Sequence, residues 1–521
     1  MTPDSNGYLS HRQILVVMGG LMVGMFLSAL DQSIVGTALP RITSDLGGLD
    51  KLSWVVTAYL LCATASTPLW GKISDLYGRR LLFQIAIVTF IVGSLLAGFS
   101  QNIYELIGFR AIQGLGGGGL MALALATIGD VVPPRERGRY QGYFAAVFGT
   151  SSVLGPVLGG WFADGPGWKW IFFMNVPIGL VALVVTSAAL KLPHVRREHN
   201  IDYFGASVVV ASVSSLLLYT AWAGPERGWT SGIGLTLVLL GLLLAVAFVF
   251  VEKNAEEPII PMRLFGNSIF SIANSFGFLI GMAMFGAMIF IPVYLQVVDG
   301  MSPTHSGLAM VPMVVGLFTT SIAAGQIMSR TGRYKFFPPV GAATVVVALF
   351  MLSGLTADTP YWFAGLAMYV MGAGLGFTMQ VLVTVVQNSV DRSDMGVATS
   401  SVTFFRSMGG SFGTALFGAI LSSRLAVHIA GAMTSLPTGS STTPSRAEVA
   451  GLANNVQQIK GLPEPVHSLV TGAFSASLHD VFLSAVPLVL IAFAVSLFLK
   501  EKPLTGRTPA ETEPVPEPAA V

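Results

Sequence analysis

Two charged residues, Asp31 and Arg110, lie inside long apolar runs, where an ionisable group has unusual chemistry. The residues from Gly19 to Leu30, which precede Asp31, are apolar or small. A carboxylate inside a hydrocarbon layer is costly unless it is paired or protonated. Its affinity for a proton then depends on whether water or a cation can reach it. Such an acid either carries protons or belongs to a permanent structural ion pair.

The rise of an α-helix places these two charges at overlapping depths. Asp31 lies roughly 13 Å from the end of its apolar run, at 1.5 Å per residue. Arg110 lies roughly 8 Å from the end of its own run on the same side. We therefore expect Asp31 and Arg110 to face each other, with the polar side chains of Gln32 and Gln113 beside them.

A third charge, Arg406, also lies in an apolar run. Several glycines follow it, and no acid in the same run is available to pair with it. Arg406 therefore either contacts backbone carbonyls, which is a structural role, or lines a substrate cavity. Further aromatic and amide side chains are candidates for the same cavity, although helix packing is the simpler role for the aromatic ones. These candidates are Tyr59, Phe285, Tyr294 and Gln380.

The elements that hold these charges are long apolar segments. A helix needs roughly 20 mostly apolar residues to cross a bilayer. The runs are continuous rather than alternating, which favours helices over a β-barrel. We predict an all-α membrane protein with fourteen transmembrane helices. The predicted helices lie near residues 13–39, 53–70, 81–100, 105–128, 140–163, 171–191, 204–223, 232–251, 268–295, 305–325, 337–356, 361–386, 400–422 and 480–499.

Composition excludes most other classes of protein. Of the 521 residues, 53% are hydrophobic and 10% are charged, whereas soluble proteins carry roughly 25% charged residues. These values exclude a water-soluble enzyme and a disordered protein. The net charge of +2 gives no reason to expect nucleic-acid binding.

Other kinds of chemistry have no signature in the chain. No Walker A sequence points to ATP, and the seven histidines lack the spacing of metal ligands. The single cysteine, Cys62, excludes a disulfide framework. We therefore expect no cofactor and no metal, so that energy must come from an ion gradient or from the substrate.

The distribution of basic residues predicts the orientation. Most Lys and Arg residues fall in alternate connections and near both ends of the chain. Cytoplasmic loops are enriched in these residues, which predicts a multi-pass protein of the inner (plasma) membrane with both termini in the cytoplasm. The long connection 423–479 then faces outward. The Pro- and Glu-rich segment 503–521 predicts a disordered cytoplasmic tail.

A repeat divides the chain. The segments 71–80 and 325–334 share a glycine, an isoleucine two residues later, a second glycine seven residues later and then an arginine. Unless this is a coincidence between Gly- and Arg-rich turns, it indicates two related six-helix bundles, over residues 1–200 and 256–502, with an inserted helix pair over 201–255. Transporters often contain such repeats and bind substrate near the bilayer midplane.

The first copy of the repeat carries residues suited to a gate. Gly71 and Gly78 allow tight turns and close helix approach, and Arg79 and Arg80 are cytoplasmic anchors. Asp75 is an acid among bases. It either pairs with an arginine to hold one state of a transporter closed or forms an ordinary surface salt bridge, which contributes little.

The fifth predicted helix has features of a moving interface. Gly155 and Gly159 are small residues four positions apart, which lets helices approach closely. Pro156 lacks a backbone donor and can kink the helix. Ordinary packing between membrane helices explains the same residues.

Together these motifs resemble the major facilitator superfamily, and within it the fourteen-helix drug:proton antiporter branch, from about Gln13 to Lys500. The chain departs from the family's motifs in two places. In helix 1, Ser33 and Gly36 are small, and in the second copy of the repeat, Ser329 stands at the position that Asp75 has in the first. The motif-bearing segments are 30–40 in helix 1, 71–80 in loop 2–3, 110–116 in helix 4, 155–160 in helix 5 and 168–179, a stretch typical of the branch.

The resemblance implies a major facilitator fold and a proton-coupled exporter of amphipathic drugs or toxic compounds. Asp31 would carry the proton and Arg110 would adjust its affinity. The expected partners are an amphipathic small molecule, often cationic or aromatic, together with protons and membrane lipids, and we expect a monomer. Alternatives are an exporter of a lipid or self-made metabolite on the same fold, and a non-transporting receptor or scaffold that binds partners through residues 423–479.

Overall fold

A computed structural model describes residues 11–46, 52–190, 202–433 and 466–502, and within these ranges the regular structure is helical, with no strand. Short π-helical segments, Tyr219–Arg227 and Tyr294–Val298, follow α8 and α10. The α-helices are α1 (His11–Leu46), α2 (Leu52–Tyr77), α3 (Arg79–Phe99), α4 (Ile103–Val131), α5 (Pro134–Asp164), α6 (Lys169–Phe173), α7 (Asn175–Ala189), α8 (Tyr203–Leu218), α9 (Gly232–Asn254), α10 (Ser268–Val293), α11 (Pro303–Ala309), α12 (Val311–Thr331), α13 (Phe337–Ser353), α14 (Tyr361–Ser389), α15 (Met395–Met433) and α16 (Val466–Leu497).

The helices have the length and composition of membrane spans. In the described part of the chain, 11 helices are long and apolar enough to cross a membrane, and α13 is a shorter apolar helix. The second predicted span lies within the 26-residue helix α2. The predicted fold class, an all-α membrane protein, is confirmed. The number of fourteen crossings stays a prediction.

Two of the predicted spans are interrupted near prolines. The segment predicted at 171–191 divides at Met174 into α6 and α7, and α7 has Pro177 in its first turn. The segment predicted at 305–325 divides at Met310, just before Pro312 in the first turn of α12. Proline lacks an N–H group, so it is better tolerated in the first turn of a helix than in the interior. Pro177 and Pro312 therefore each mark the start of a new helix.

The connection predicted at 423–479 is shorter than expected, because helices continue into it from both sides. Helix α15 extends to Met433 and α16 begins at Val466. These extensions contain polar residues that lower their hydropathy but find partners in the fold. Asp480 lies 3.5 Å from Arg424 and 3.0 Å from His428. Residues 434–465 of this connection, and the predicted tail 503–521, lie outside the described residues.

The helices pack as two groups that meet along two seams. Helices α1 to α7 contact one another, as do α10 to α16. The groups meet where α5 packs on α12 and where α2 packs on α15. Helices α8 and α9 form a pair, and α8 lies against α2 and α15. The boundaries predicted for the domains stay predictions.

Both copies of the sequence repeat form turns that require glycine. Gly78 follows α2 with φ of 93°, and Gly332 follows α12 with φ of 71°. A side chain is rarely tolerated at such angles. We call the end of the molecule that contains these turns the basic end, because Lys72, Arg79 and Arg333 lie there.

Candidate functional site

Asp31 and Arg110 form a buried ion pair between α1 and α4. Arg110 Nη1 donates to Asp31 Oδ2, and both side chains are at most 1% exposed. Asp31 Oδ1 accepts from Gln113 Nε2 at 2.9 Å and from Asn175 Nδ2 at 3.1 Å. Arg110 Nη1 also donates to Gln113 Oε1 at 2.7 Å. Each carboxylate oxygen therefore has a donor, which offsets the cost of burying the charge.

Helix α2 holds the guanidinium of Arg110 from a second direction. Arg110 Cζ lies 4.3 Å from the centroid of the Tyr59 ring, a cation–π distance. Arg110 Nε donates to the carbonyl of Val55 at 3.3 Å. The hydroxyl of Tyr59 is in turn 2.9 Å from that of Ser28. The contact expected from helix depth is present, and Tyr59 is part of it.

Asn175 and Ser94 extend this cluster of polar side chains. Neither was predicted as a site residue, although Asn175 lies in the motif-bearing segment 168–179. Asn175 Nδ2 donates to Ser94 Oγ at 2.9 Å, and Ser94 donates to the carbonyl of Phe172 at 2.9 Å. The cluster therefore joins α1, α4, α7 and α3. The signal for Asn175 was a lone amide in an apolar run, because a polar residue inside a membrane helix is a functional candidate by default.

A cavity of about 1150 Å³ lies between the two helix groups. Its wall is formed by α1, α2, α4 and α5 on one side and by α10, α12, α14 and α15 on the other. The end of α8 and the π-helical segment that follows it complete the wall. The volume is sufficient for a drug-sized molecule. The predicted lining residues found in this wall are Gln32, Phe285, Gln380 and Arg406.

Three other residues predicted to line the cavity lie elsewhere. Tyr59 and Gln113 surround the Asp31–Arg110 pair. Tyr294 is buried and donates to the carbonyl of Thr356 at 2.9 Å. It follows Phe285 by nine residues, about two and a half helical turns. The two side chains therefore lie on opposite faces and cannot line the same cavity.

Asp31 does not itself line the cavity, but its helix does. Gln32, the next residue of α1, is in the wall. Helix α4 carries Arg110 and also contributes Gly117 and Gly118 to the wall. The ion pair and the cavity are thus carried by the same two helices, so a rearrangement at the pair would move the wall.

Asp75 joins the two helix groups at the basic end. Its Oδ1 accepts from the backbone N–H of Gly396 and its Oδ2 from that of Val397, each at 3.1 Å, in the first turn of α15. Arg79 lies 2.5 Å from Asp75 and 2.6 Å from Asp130. The N-terminus of a helix stabilises an acid. Because the Asp75 contact is buried and crosses between the groups, it differs from an ordinary surface salt bridge.

The other residues of this loop have separate structural roles. A Cβ atom at Gly71 would lie 2.7 Å from the carbonyl oxygen of Gly396, so glycine permits the approach of α2 to α15. Arg80 is exposed and has no ion pair with a described residue. Asp130, at the end of α4, is a partner of Arg79 that the sequence prediction lacks.

The basic end is closed, whereas the cavity extends toward the opposite end. Gln387 of α14 donates to the carbonyl of Leu125 of α4 at 3.0 Å, a second polar contact between the groups. The cavity wall includes Val56 near the start of α2 and Ser423 in the distal half of α15. Both positions lie far from the basic end along their helices.

The glycine and proline motif of α5 lies where α5 packs between α1 and α12. A Cβ atom at Gly155 would lie 2.9 Å from the backbone carbon of Ser33. Ser33 Oγ also donates to the carbonyl of Ser151 at 2.8 Å. Helix α5 continues through Pro156 and Gly159. Because α5 contacts α12, the motif lies at a seam between the groups.

Among the described residues, no group of three or more His, Cys, Asp or Glu side chains is arranged to hold a metal ion.

Comparison with known proteins identifies the family. A profile of the Major Facilitator Superfamily matches residues 21–414. The chain is 41% identical, over 94% of its length and 70% of the relative, to the uncharacterised MFS-type transporter Rv1877 of Mycobacterium tuberculosis. It is 36% identical, over 100% of its length and 98% of the relative, to the multidrug transporter protein MdtP of Bacillus subtilis.

A solved structure of the proton:xylose symporter XylE has the same fold. It matches with a TM-score of 0.60 over 95% of this chain and 98% of that one, at 14% identity. The profile match and the two relatives confirm the resemblance found in the motifs. The chain therefore belongs to the Major Facilitator Superfamily, as a multi-pass membrane transporter related to efflux pumps.

Proposed function

We propose that this transporter is a proton-coupled antiporter that exports amphipathic compounds across the cytoplasmic membrane. One observation carries the proposal: the buried Asp31–Arg110 pair lies on helices that also form the wall of a drug-sized cavity. The similarity to a multidrug transporter favours drug-like compounds as cargo.

Asp31 has surroundings that suit a reversible proton carrier. Protonation would remove its charge and weaken its attraction to Arg110. Arg110 would keep its contacts with Tyr59 and the Val55 carbonyl. The amide of Gln113 can both donate and accept, so it can serve either form of the acid. The pair can therefore separate without leaving a buried guanidinium unpartnered.

Helices α1, α2 and α4 would carry this change to the cavity. The backbone of α4 lies close to α2, since a Cβ atom at Gly114 would lie 2.9 Å from Tyr59 Cα and one at Gly118 would lie 3.0 Å from the carbonyl carbon of Ala63. Such close packing transmits small shifts, because a dense interior does not deform continuously. A displacement of Arg110 would therefore move α2 and α4 together.

The basic end faces the cytoplasm in this proposal, as the excess of Lys and Arg there favours. Both termini are then cytoplasmic, and fourteen helices cross the membrane. The Asp75 contact closes the cytoplasmic side, so the structure corresponds to an outward-facing state. Opening toward the cytoplasm would require Asp75 to leave the first turn of α15. We propose a monomer as the transporting unit, because described helices of a single chain line the cavity from both sides.

Asp31→Asn tests the coupling role. Asparagine keeps the size of the side chain and one acceptor oxygen but cannot ionise. In proteoliposomes with an imposed pH gradient, we expect transport of a panel of cationic and anionic dyes to be abolished, while the protein remains folded and monodisperse.

Asp45→Asn is the matched control, because Asp45 lies on the same helix with 44% of its side chain exposed. This variant should transport at the wild-type rate. Gradient-driven transport at the wild-type rate by Asp31→Asn would refute the proposal.

A further inference from the structure

We propose that the cavity selects amphipathic compounds that carry an anionic group, held by Arg406 of α15 and Gln380 of α14, and disfavours lipophilic cations. This inference rests on the proposed efflux function and names its class of cargo. It departs from the expectation, drawn from sequence resemblance, that the cargo is often cationic.

Arg406 is the one charged residue among those that line the cavity in the described part of the chain. Its guanidinium forms no ion pair and no hydrogen bond with any described side chain or carbonyl. A guanidinium remains protonated in proteins and presents five donors in a planar fork. The wall therefore presents a permanent positive charge with free donors.

Asp31, the acid predicted to lie inside a membrane helix, does not neutralise Arg406. Its oxygens are taken by Arg110, Gln113 and Asn175, and its side chain is fully buried. Within the described ranges, no Asp or Glu side chain lines the cavity. A lipophilic cation would therefore meet a like charge with no compensating acid, which raises the cost of binding in a partly dehydrated site.

Gln380 supplies a second unpartnered polar group to the same cavity. Its side chain is 93% buried, and its Oε1 atom has no hydrogen-bond partner among the described residues. A buried polar atom without a partner is costly. Cargo with a hydroxyl or amide N–H would satisfy Oε1, and rotation of the amide would instead offer a donor to an acceptor.

The remaining wall suits the apolar body of such a molecule. Phe144 and Phe148 of α5, Phe285 of α10 and Trp229 are among the lining residues. Aromatic side chains bind planar apolar groups through large contact areas. The matching cargo is an aromatic or amphipathic carboxylate or sulfonate with a nearby hydrogen-bond donor, because a carboxylate pairs with both arms of a guanidinium.

The sign of the cargo changes the electrical balance of transport. Import of one proton against export of one monocation moves no net charge. Import of one proton against export of one monoanion moves two positive charges inward. Membrane potential alone should then drive export of an anion, whereas it should not drive a one-for-one exchange with a monocation.

Equilibrium binding of two xanthene dyes to the purified full-length protein tests the selection. Fluorescein is anionic at neutral pH, and rhodamine 6G is a cation whose carboxyl group is esterified. We expect fluorescence anisotropy to show tighter binding of fluorescein. Arg406→Gln should weaken fluorescein binding about 10- to 100-fold, the range for a lost charged hydrogen bond, and should leave or improve binding of rhodamine 6G.

Three further variants separate recognition from folding. Arg406→Lys should retain part of the fluorescein affinity, and Gln380→Met should lose about 3- to 10-fold, as for a neutral hydrogen bond. Arg424→Gln, on the same helix but outside the cavity wall, should bind both dyes like the wild type. If Arg406→Gln does not fold, Arg406→Lys and Gln380→Met still test the inference, because each should lower the ratio of the fluorescein affinity to the rhodamine 6G affinity.

Several outcomes would overturn the inference. They are failure of both fluorescein and 1-anilinonaphthalene-8-sulfonate to bind, preference of the wild type for rhodamine 6G, and an equal loss of both dyes in Arg406→Gln. Failure of the proposed function is a different result, since binding at equilibrium needs no gradient. Asp31→Asn should still prefer fluorescein, and absence of any gradient-driven transport by the wild type would refute antiport while leaving the binding preference intact.

Discussion

The contact between Asp75 and α15 leads to a quantitative prediction about which end of the transporter is open. Asp75→Asn removes a carboxylate charge. The two oxygens of this carboxylate accept hydrogen bonds from two backbone N–H groups of the other helix group, each with an N···O distance of 3.1 Å. Hydrogen bonds to charged groups contribute about 1.5–3 kcal/mol each, and asparagine keeps one acceptor. We therefore expect a net loss of about 1–3 kcal/mol from the closed basic end. This corresponds to a roughly 5- to 150-fold shift toward opening.

Spin labels in the two groups would measure this shift. Leu81 of α3 and Phe336, just before α13, are 50% and 47% exposed at the basic end. With Cys62→Ala as background, double electron–electron resonance between cysteines at these positions should show a longer distance in Asp75→Asn. Asp358→Asn, an exposed acid at the opposite end, is the control and should match the wild type. An unchanged distance distribution in folded Asp75→Asn would show that other contacts hold this end closed.

Two more substitutions address packing and the Asp31 cluster. Gly155→Val should destabilise the protein by about 1–3 kcal/mol because its side chain would meet the backbone of α1, whereas Gly108→Val, in open space, should be neutral or slightly stabilising. Thermal unfolding in detergent checks both, and equal melting temperatures would contradict the close approach. Asn175→Leu should cost about 1–3 kcal/mol and slow dye efflux several-fold, because Asp31 Oδ1 loses one of its two donors. Unchanged stability and efflux would indicate that Gln113 alone is a sufficient donor for Asp31 Oδ1.

The helices were accessible to prediction from the sequence wherever apolar residues run without interruption. A membrane helix must satisfy its backbone internally, so the length of an apolar run reports the helix directly. The last 11 residues of α15, 423–433, and the first part of α16 were missed because they are not continuously apolar. Their polar residues, including Arg424 and His428, lower hydropathy, and the contacts of these two residues with Asp480 become visible only in the folded chain.

The candidate site was predictable in part because helical geometry is regular. Rise per residue places Asp31 and Arg110 at one depth, and the structure pairs them. Which face of each helix lines the cavity was harder to predict. Phe285 lies in the cavity wall, whereas Tyr294 on the opposite face does not. A helix that is apolar all round gives no sign of which side meets a cavity and which side meets another helix.

The sequence by itself determined the membrane class, the helical fold, the repeat and the family, because each depends on composition or on residues close together in the chain. Only the tertiary structure decided which partners meet. Asn175 reaches Asp31 across 144 residues, and Asp75 reaches Val397 across 322. It also decided that Arg406 lines the cavity with no acidic side chain beside it among the residues that the structure describes, while Asp31 is buried against Arg110. Such pairings depend on how whole helices pack against one another, and no local spacing in the chain encodes that packing.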